Sequence, residues 1–410
     1  MYDIDDLTIV VPGDVREILK TLHDAGYEAY IVGGCVRDAI LGLEPKDWDI
    51  TTSALPEQVK SLFSNTVDTG IQHGTVMVIK HGTGYEVTTY RIDGEYKDGR
   101  HPENVTFTRS LAEDLKRRDF TINAFAYSPE KGVVDMFEGL EDLDNRLIRC
   151  VGDPNARFSE DALRIMRAVR FSAQLSFKIE TVTLAAIGRH VQNLSNVSME
   201  RIRVEFEKTL LSNRPEKVTQ YASLGMGTMI VPDEALAKKC FDTEITEAYQ
   251  RISGNEEEKK VLRLAAFFHN LTSEEVKRAL KRMKYDNRTI KLVSGIIKYK
   301  DQNVTAEKSA VKRALHEQGE ELFTLVLCYR ETVLGIPADD IRTVLDIIKE
   351  ANEPYEIAHL TVSGTDLIEA GIPKGELVGE TLNMLLNQVI EDPGLNHKEV
   401  LLGLVNKQRG

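Results

Sequence analysis

Apolar residues recur at helical spacing between Val15 and Ala25, and the pattern then changes to a short apolar run, Glu28-Ala-Tyr-Ile-Val32, that ends on Gly33-Gly34. The first segment predicts an amphipathic helix and the second a strand delivered into a tight turn, with a short helix over 36–41 beyond it. Alternation through Trp48-Asp49-Ile50-Thr51 predicts another strand, followed by a helix opened by Ser53 and Pro56. Residues 75–80 and 85–91 read as the arms of a hairpin across His81-Gly-Thr-Gly84. Short strands in quick succession with few helices between them imply a compact antiparallel or mixed sheet, not a doubly wound one.

From about residue 155 the period becomes helical. Segments 159–175, 198–211, 258–269, 273–283, 306–318 and 338–351 carry apolar residues at helical spacing, and strand patterns nearly vanish. Gly225, Gly335-Ile336-Pro337 and Gly371-Ile372-Pro373 mark breaks between helical units. No fixed-period repeat interrupts this plan, so the chain reads as α+β, with a mixed-sheet first part and a helical remainder.

Length and charge sharpen the picture. A chain of 410 residues exceeds one usual domain and predicts two or more structural units. The formal net charge of -13, from 52 Lys+Arg against 65 Asp+Glu, argues against a general nucleic-acid coat but does not say where the cations cluster. No apolar run reaches the roughly 18 residues of a membrane span, and the acidic residues 1–10 lack the basic start of a signal peptide, so a cytoplasmic protein without membrane contact is expected. Cys35, Cys150, Cys240 and Cys328 are scattered without a CxxC pair, which predicts buried free thiols in place of zinc ligands or disulfides.

Chemistry is concentrated in two places. Gly33-Gly34-Cys35-Val36-Arg37-Asp38 sits at the strand-to-helix turn, and Asp47-Trp48-Asp49 follows on the next strand. Strand residues i and i+2 share a face, so Asp47 and Asp49 present two carboxylates side by side. Hard oxygens so placed suit Mg²⁺, which shares one or two protein carboxylates with substrate phosphates. Paired glycines let backbone N–H groups approach a triphosphate, with Arg37 and the helix start adding positive charge. Taken singly, the acidic pair is an ordinary solvated edge and the glycines an ordinary turn; together they describe nucleotidyl transfer from a metal-bound NTP. Glu86 is the nearest third carboxylate, balanced against an exposed strand position. In Arg117-Arg118-Asp119-Phe120, Arg118 can grip phosphate or ribose, but a surface ion-pair cluster with Glu113 and Asp114 is the better explanation of that motif taken alone.

The second place is the helix expected at 159–175, with Ser159 as its N-cap. Asp161, Arg164, Arg167 and Arg170 recur every third residue as one stripe. An Asp161–Arg164 salt bridge is the ordinary explanation of that spacing, yet acids on the same face are few for so many arginines. The alternative is base reading: Asp161 accepts from an exocyclic amine and Arg164 donates to the adjacent ring acceptor. Cytosine and adenine carry that pair, whereas uracil and guanine present the reverse.

With these residues in place, the sequence resembles the bacterial CCA-adding family, the class II tRNA nucleotidyltransferases of the polymerase-β-like superfamily. The matching strings are GGCVRD at 33–38, DWD at 47–49, DGEYKDGRHPENVTF at 93–107, RRDFTINA at 117–124 and RFSEDALRIMRAVRF at 157–171. The resemblance implies a polymerase-β-like nucleotidyltransferase head with a mixed sheet at 1–150. A helical neck at 151–215 that reads the base would follow, then a helical body at 216–315 and a helical tail at 316–410 that bind tRNA through its acceptor and TΨC half. It further implies that Asp47 and Asp49 are catalytic and hold Mg²⁺, and that Gly34, Arg37, Arg118, Asp161, Arg164, Arg167 and Arg170 contact the nucleotide. CTP and ATP would be the substrates, and no protein partner is implied.

Members of this branch add CCA, only CC, or only A. CC-adding forms lack part of the loop after the catalytic strands, and the intact segment 93–107 favours full CCA addition. Related poly(A) polymerases carry a basic signature after the neck and a basic tail, both missing here. Phe267-Phe268-His269-Asn270 has Asn where a metal phosphohydrolase motif needs Asp. A non-catalytic tRNA binder would not need the acidic pair, and a small-molecule nucleotidyltransferase would need neither the base reader nor the long helical extension. Arg146, Arg149, Arg157, Arg164, Arg167 and Arg170 outnumber Asp153, Glu160 and Asp161 in the neck region, so a local positive channel on an acidic body is expected.

Overall fold

The first amphipathic segment is helix α1 (Gly13–Asp24), which buries Val15, Ile18, Leu19 and Leu22, the stripe its spacing requires. Strand β1 (Ala29–Val32) is buried throughout and runs into Gly33, whose φ of 84° favours a residue without a Cβ. Helix α2 (Gly34–Ile40) follows. Strand β2 (Ile50–Thr52) is shorter than its sequence pattern. Asp47 and Asp49 precede the regular strand, and the Asp49 carbonyl joins the ladder by accepting from the Val32 N–H at 3.0 Å. Next come α3 (Pro56–Leu62), β3 (Thr66–Gly70), β4 (Thr75–Lys80) and β5 (Thr83–Thr89). The β4–β5 hairpin turns on His81 and Gly82 with φ of 46° and 83°, the positive pair that a tight two-residue turn demands, so its second arm starts two residues earlier than expected.

This computed structural model describes residues 8–94, 105–241 and 247–407. Strands β6 (Arg91–Asp93) and β7 (Val105–Phe107) pair antiparallel, and residues 95–104 of the segment 93–107 lie outside the described residues. Helix α4 (Leu111–Lys116), strands β8 (Phe125–Ser128) and β9 (Gly132–Asp135) and helix α5 (Gly139–Asp144) complete this part. The main sheet has seven strands in the order β3-β4-β5-β2-β1-β8-β9. Only β2 and β5 pair in parallel, so the sheet is mixed, as the pattern of short strands implied.

Where one helix was expected over 159–175 there are two, α6 (Pro154–Glu160) and α7 (Leu163–Leu175). Asp153 caps α6 and Pro154 occupies its first turn, so Ser159 lies in the last turn of α6 and is not an N-cap. Between the helices Asp161 is extended (φ -138°, ψ 102°), and its carboxylate accepts from the Leu163 N–H at 3.0 Å. Helices α8 (Thr181–His190) and α9 (Met199–Leu210) follow. The chain divides into two compact units, residues 1–241 and 242–410.

The second unit is helical among its described residues. Capping boxes at Asn255/Glu258 and Thr272/Glu275 open the helices Glu256–Phe267 and Ser273–Arg282. Helices Asn287–Tyr299 and Glu320–Tyr329 had no clear signature in the sequence, because burial on more than one side blurs the helical period. Val311, Leu315, Phe323 and Ile348 form one apolar cluster, and Leu367, Leu385, Val389 and Leu401 another. Gly225, Gly335 and Gly371 all have positive φ at helix ends, where the sequence placed breaks. His269 bonds the Tyr329 hydroxyl at 2.7 Å. No described helix is long and apolar enough to cross a membrane.

Gly139 has no room for a side chain. A Cβ there would lie 2.6 Å from the Thr121 carbonyl oxygen and 2.7 Å from the Phe125 ring. Gly139→Ala is expected to cost about 1–3 kcal/mol through overpacking. Urea unfolding followed by fluorescence of Trp48, the single tryptophan, reads this unit directly, and an unchanged midpoint would contradict the packing argument.

Candidate active site

Strand register builds the acidic cleft. Antiparallel pairing sets Ile31 opposite Ile50, so the turn after β1 lies next to Asp49. Parallel pairing sets Ile50 beside Val87, so the preceding residues, Asp49 and Glu86, are neighbours as well. A cleft of about 570 Å³ is lined by Asp47, Trp48 and Asp49 together with Met77, Tyr85 and Glu86. Burial pushes the Asp49 carboxyl above the ordinary range; Arg118 pulls it down and Asp47 pushes it further up. Burial also raises Glu86, and the charges of Asp49 and Asp47 add to it. Glu86, ambiguous in the sequence, is thus in the cleft with the acidic pair.

Among the described residues no group of three or more His, Cys, Asp or Glu is arranged to enclose a metal ion. Hard carboxylate oxygens in an open cleft still fit Mg²⁺, which keeps positions for water and phosphate oxygens. The mutual repulsion of Asp47, Asp49 and Glu86 is what a bound cation would relieve. Nearby, burial pushes the Cys35 thiol up to about 11, so it is an inert buried thiol and not a nucleophile.

The glycine turn has a second cause besides its φ. A Cβ on Gly33 would stand 2.8 Å from Arg118 Nη1, so the absence of a side chain makes room for a guanidinium. The Gly33 N–H is already bonded to the Phe125 carbonyl at 3.1 Å. Gly34 opens α2, and a Cβ there would come no closer than 3.5 Å to Arg37. Arg37 is 7% exposed; it holds Asp38 at 2.7 and 2.8 Å and donates to Asn123.

The cluster around Arg117 and Arg118 is buried, not superficial. Its centre is Asp114, which is fully buried and accepts from Arg117 at 2.9 Å, from the Thr51 hydroxyl at 3.2 Å and from the Arg91 N–H at 3.2 Å. Arg118 lies 3.8 Å from it. Arg118 Nε is buried without a hydrogen-bond partner among the described residues.

The arginines of α7 find their acids on other elements, so the shortage of acids on their own face does not leave them unpaired. Arg164 donates to Glu160 at 2.8 Å and to the Arg117 carbonyl at 2.9 Å. Arg167 pairs with Asp119 at 2.6 Å, and Arg170 with Glu205 at 2.5 Å. Asp161 pairs with Arg201 at 2.9 Å and not with Arg164. Arg149 and Arg157 are paired too, with Asp142 and Glu160. Much of the positive channel expected from the residue count is therefore neutralised internally. Around Phe171 the guanidinium carbons of Arg37, Arg167 and Arg170 lie 5.1, 5.3 and 4.0 Å from the ring centroid. The structure thus gathers Arg37, Arg167 and Arg170 at one ring, Arg118 at the Gly33 turn, and Arg164 against the backbone of the residue before Arg118.

Sequence reasoning missed four polar residues that organise this arrangement. Asp119 and Asn123 stood inside the 117–124 string but carried no assigned role. Arg201 and Glu205 are on α9, where ordinary amphipathic spacing hides them; Glu205 is only 4% exposed, and a buried acid inside a helical period was the one available signal.

The chain matches the family model of the poly A polymerase head domain over residues 29–149. It also matches that of a probable RNA- and SrmB-binding site of polymerase A over 176–233, and domain 2 of tRNA nucleotidyltransferases over 254–405. A CCA-adding enzyme of Pediococcus pentosaceus is 41% identical over 397 residues, covering 96% of this chain and 97% of that one. One from Levilactobacillus brevis is 41% identical over 392 residues, with 95% and 96% covered. The crystal structure of the Bacillus stearothermophilus CCA-adding enzyme in complex with CTP superposes with a TM-score of 0.83 at 33% identity, covering 96% and 97% of the two chains. The Thermotoga maritima CCA-adding enzyme complexed with tRNA shares the fold at a TM-score of 0.64 and 22% identity, with 97% and 96% covered.

Asp119 ties stability to pH. Burial alone would raise its carboxyl, but Arg167, the hydrogen bonds from Asn123 and Arg167, and Arg164 outweigh burial and bring it down to about 2 from an ordinary 3.8. A carboxyl held low in the fold stabilises above its unfolded value and loses that contribution as pH falls, here between about 4 and about 2. The contribution at neutral pH is on the order of 2 kcal/mol. Asp119→Asn is expected to lower stability at pH 7 by at least that amount and to flatten the decline between pH 4 and 2. Urea titrations at several pH values check this, and a wild-type decline in the variant would refute it.

Proposed function

The chain belongs to the CCA-adding family of tRNA nucleotidyltransferases, and we propose that Asp47 and Asp49 carry its chemistry while Asp161 and Arg164 choose its substrates. It uses CTP and ATP to build the 3′-terminal CCA of tRNA. The observation that supports the acidic part of this assignment is the sheet register, which brings the Gly33 turn, Asp49 and Glu86 to one place.

In this reading the tRNA 3′ oxygen bonds to the NTP α-phosphorus, its proton is released, and the bond to pyrophosphate breaks. Asp47 and Asp49 would hold a divalent cation, with Mg²⁺ the hard ion that suits their oxygens, and Glu86 adds charge beside them. Such an ion supplies activation of the hydroxyl and charge neutralisation on the leaving pyrophosphate. Gly34 and Arg37 shape the turn next to the phosphates, and Arg118, whose Nη1 lies beside the Gly33 turn, offers its guanidinium to phosphate or ribose. Arg167 and Arg170 frame the nucleotide from α7. Asp161 accepts from the amine of cytosine or adenine and Arg164 donates to the ring acceptor, a pairing that uracil and guanine cannot complete.

We assign catalysis to the head, 1–150, base reading to the neck, 151–215, and the acceptor and TΨC half of tRNA to body and tail, 216–315 and 316–410. The division between compact units at 241 falls inside the body range, so its first helices are built with the neck. A location in the cytoplasm, where tRNA and nucleoside triphosphates meet, accords with this activity.

A tRNA ending at the discriminator base, incubated with each NTP, is the direct assay. CTP alone is expected to add two residues and CTP with ATP to complete CCA; an A-adding enzyme would leave this primer untouched in CTP, and extension by UTP or GTP at comparable rates would overturn the base-reading assignment. Asp47→Ala with Asp49→Ala is expected to reduce addition about a thousandfold or more while tRNA binding persists, and surviving activity would refute the metal assignment. Glu86→Gln is expected to cost about 10–100-fold at limiting Mg²⁺, partly recovered at high Mg²⁺; equal loss at all Mg²⁺ concentrations would place Glu86 outside the metal's surroundings.

A further inference from the structure

The Asp161 carboxylate is held from two sides, by the start of α7 and by α9. Its backbone is extended in the break between α6 and α7. Oδ1 accepts from the Leu163 N–H at 3.0 Å, and Oδ2 accepts from Arg201 Nη2 at 2.9 Å. Arg201 arrives from the first turn of α9, 40 residues further along the chain. Its other terminal nitrogen, Nη1, is buried and has no partner among the described residues. A buried guanidinium N–H without an acceptor is costly, so Arg201 is kept in place by its bond to Asp161 and not by a saturated set of contacts.

Arg164, the residue in sequence that should attract Asp161, is engaged elsewhere, by Glu160 and by the Arg157 and Arg117 carbonyls. The two members of the proposed base reader are therefore kept apart. Each carboxylate oxygen has two lone pairs, and one fixed donor on each leaves capacity for an amine.

We propose that Arg201 is a positioning residue for substrate choice: it locks the Asp161 carboxylate in the orientation that tells amine-bearing bases from carbonyl-bearing ones. This rests on the reading of Asp161 as the base acceptor. Without Arg201, Asp161 keeps only the Leu163 N–H, and its carboxylate is free to swing toward Arg164, closing the pair on itself and removing the acceptor that cytosine and adenine require.

The test is a double-mutant cycle on the full chain, with kcat and KM measured for CTP, ATP and UTP on tRNAs ending at the discriminator base and at CC. Arg201→Ala is expected to lower the preference for CTP and ATP over UTP by about tenfold or more, with the KM for tRNA unchanged. Arg201→Lys, which retains a cation and a donor, should recover part of that preference. Asp161→Ala should relax selectivity alone, and adding Arg201→Ala to it should relax selectivity no further, because Arg201 acts through Asp161. If Asp161→Ala relaxes selectivity and Arg201→Ala slows all nucleotides equally, Arg201 merely joins α9 to the α6–α7 break and the proposal fails. If Asp161→Ala itself leaves selectivity intact, the base-reading assignment fails first. Thermal melting of each variant separates loss of fold from loss of choice.

Discussion

Asp119 lies buried where the last part of the head meets α7, and its carboxylate accepts from the Phe120 N–H, Asn123 and the Arg167 guanidinium. Removing Arg167 would leave the buried Asp119 charge without its main partner, a loss on the order of 3 kcal/mol, because that carboxylate has little water to turn to. An exposed pair is worth about 0–1 kcal/mol, so the many surface bridges of the second unit do not compete with it. Through Asn123 the same carboxylate reaches Arg37, and through Arg167 it reaches Phe171, over whose ring Arg37 also lies. The turn after β1 and the start of the neck are thus parts of one polar network. A nucleotide site that draws residues from both can be accurate only while this network holds.

The acidic groups divide into two kinds by what surrounds them. In the cleft, burial makes Asp49 and Glu86 harder to ionise, and the neighbouring carboxylates add to it. Around α7, Glu160, Asp119 and Glu205 are matched with arginines, and that matching keeps the guanidinium groups in position inside a protein of net charge -13. The cleft concentrates three carboxylates against Lys46 at its rim and Arg118 beside Asp49, an excess of negative charge that suits a cation. The region around α7 holds oriented donors with little surplus charge, which suits the base-reading role proposed for it better than non-specific attraction to a phosphate backbone.

How much of this was legible from the residues depends on the range of the interaction. Periodicity identified α1, the β4–β5 arms and most helices after 155, since each reports only local spacing. Asp47 and Asp49 were legible because two residues on one short segment need no partner to be recognised. The break at Asp161 was not legible: the three-residue spacing of Asp161 with Arg164, Arg167 and Arg170 persists across it, and only the backbone shows that the first member lies outside α7. The acids that satisfy Arg167 and Arg170 are 48 and 35 residues away, beyond any helical rule. Glu86 becomes part of the cleft only through the parallel register of β2 with β5, which the sequence does not specify. Arg201 and Glu205 escaped notice because, in an amphipathic helix, charged residues read as solvent-facing until burial is seen.

The proposed base reader shows why selectivity here is a difference between two bonded states and not a matter of fit alone. Most buried donors and acceptors keep partners whether or not a nucleotide is present. Arg164 accordingly rests on Glu160 and backbone carbonyls, and Asp161 rests on Arg201 and the Leu163 N–H. An entering base has to replace whatever it displaces from Arg164. In the proposed pairing cytosine and adenine do so, because their ring acceptor would face the guanidinium while their amine meets the carboxylate. Uracil would set a carbonyl against the carboxylate and a ring N–H against the guanidinium, losing the resting bonds without equivalent replacement. Rejection of this kind needs no steric wall, and a pocket without one can admit both a pyrimidine and a purine.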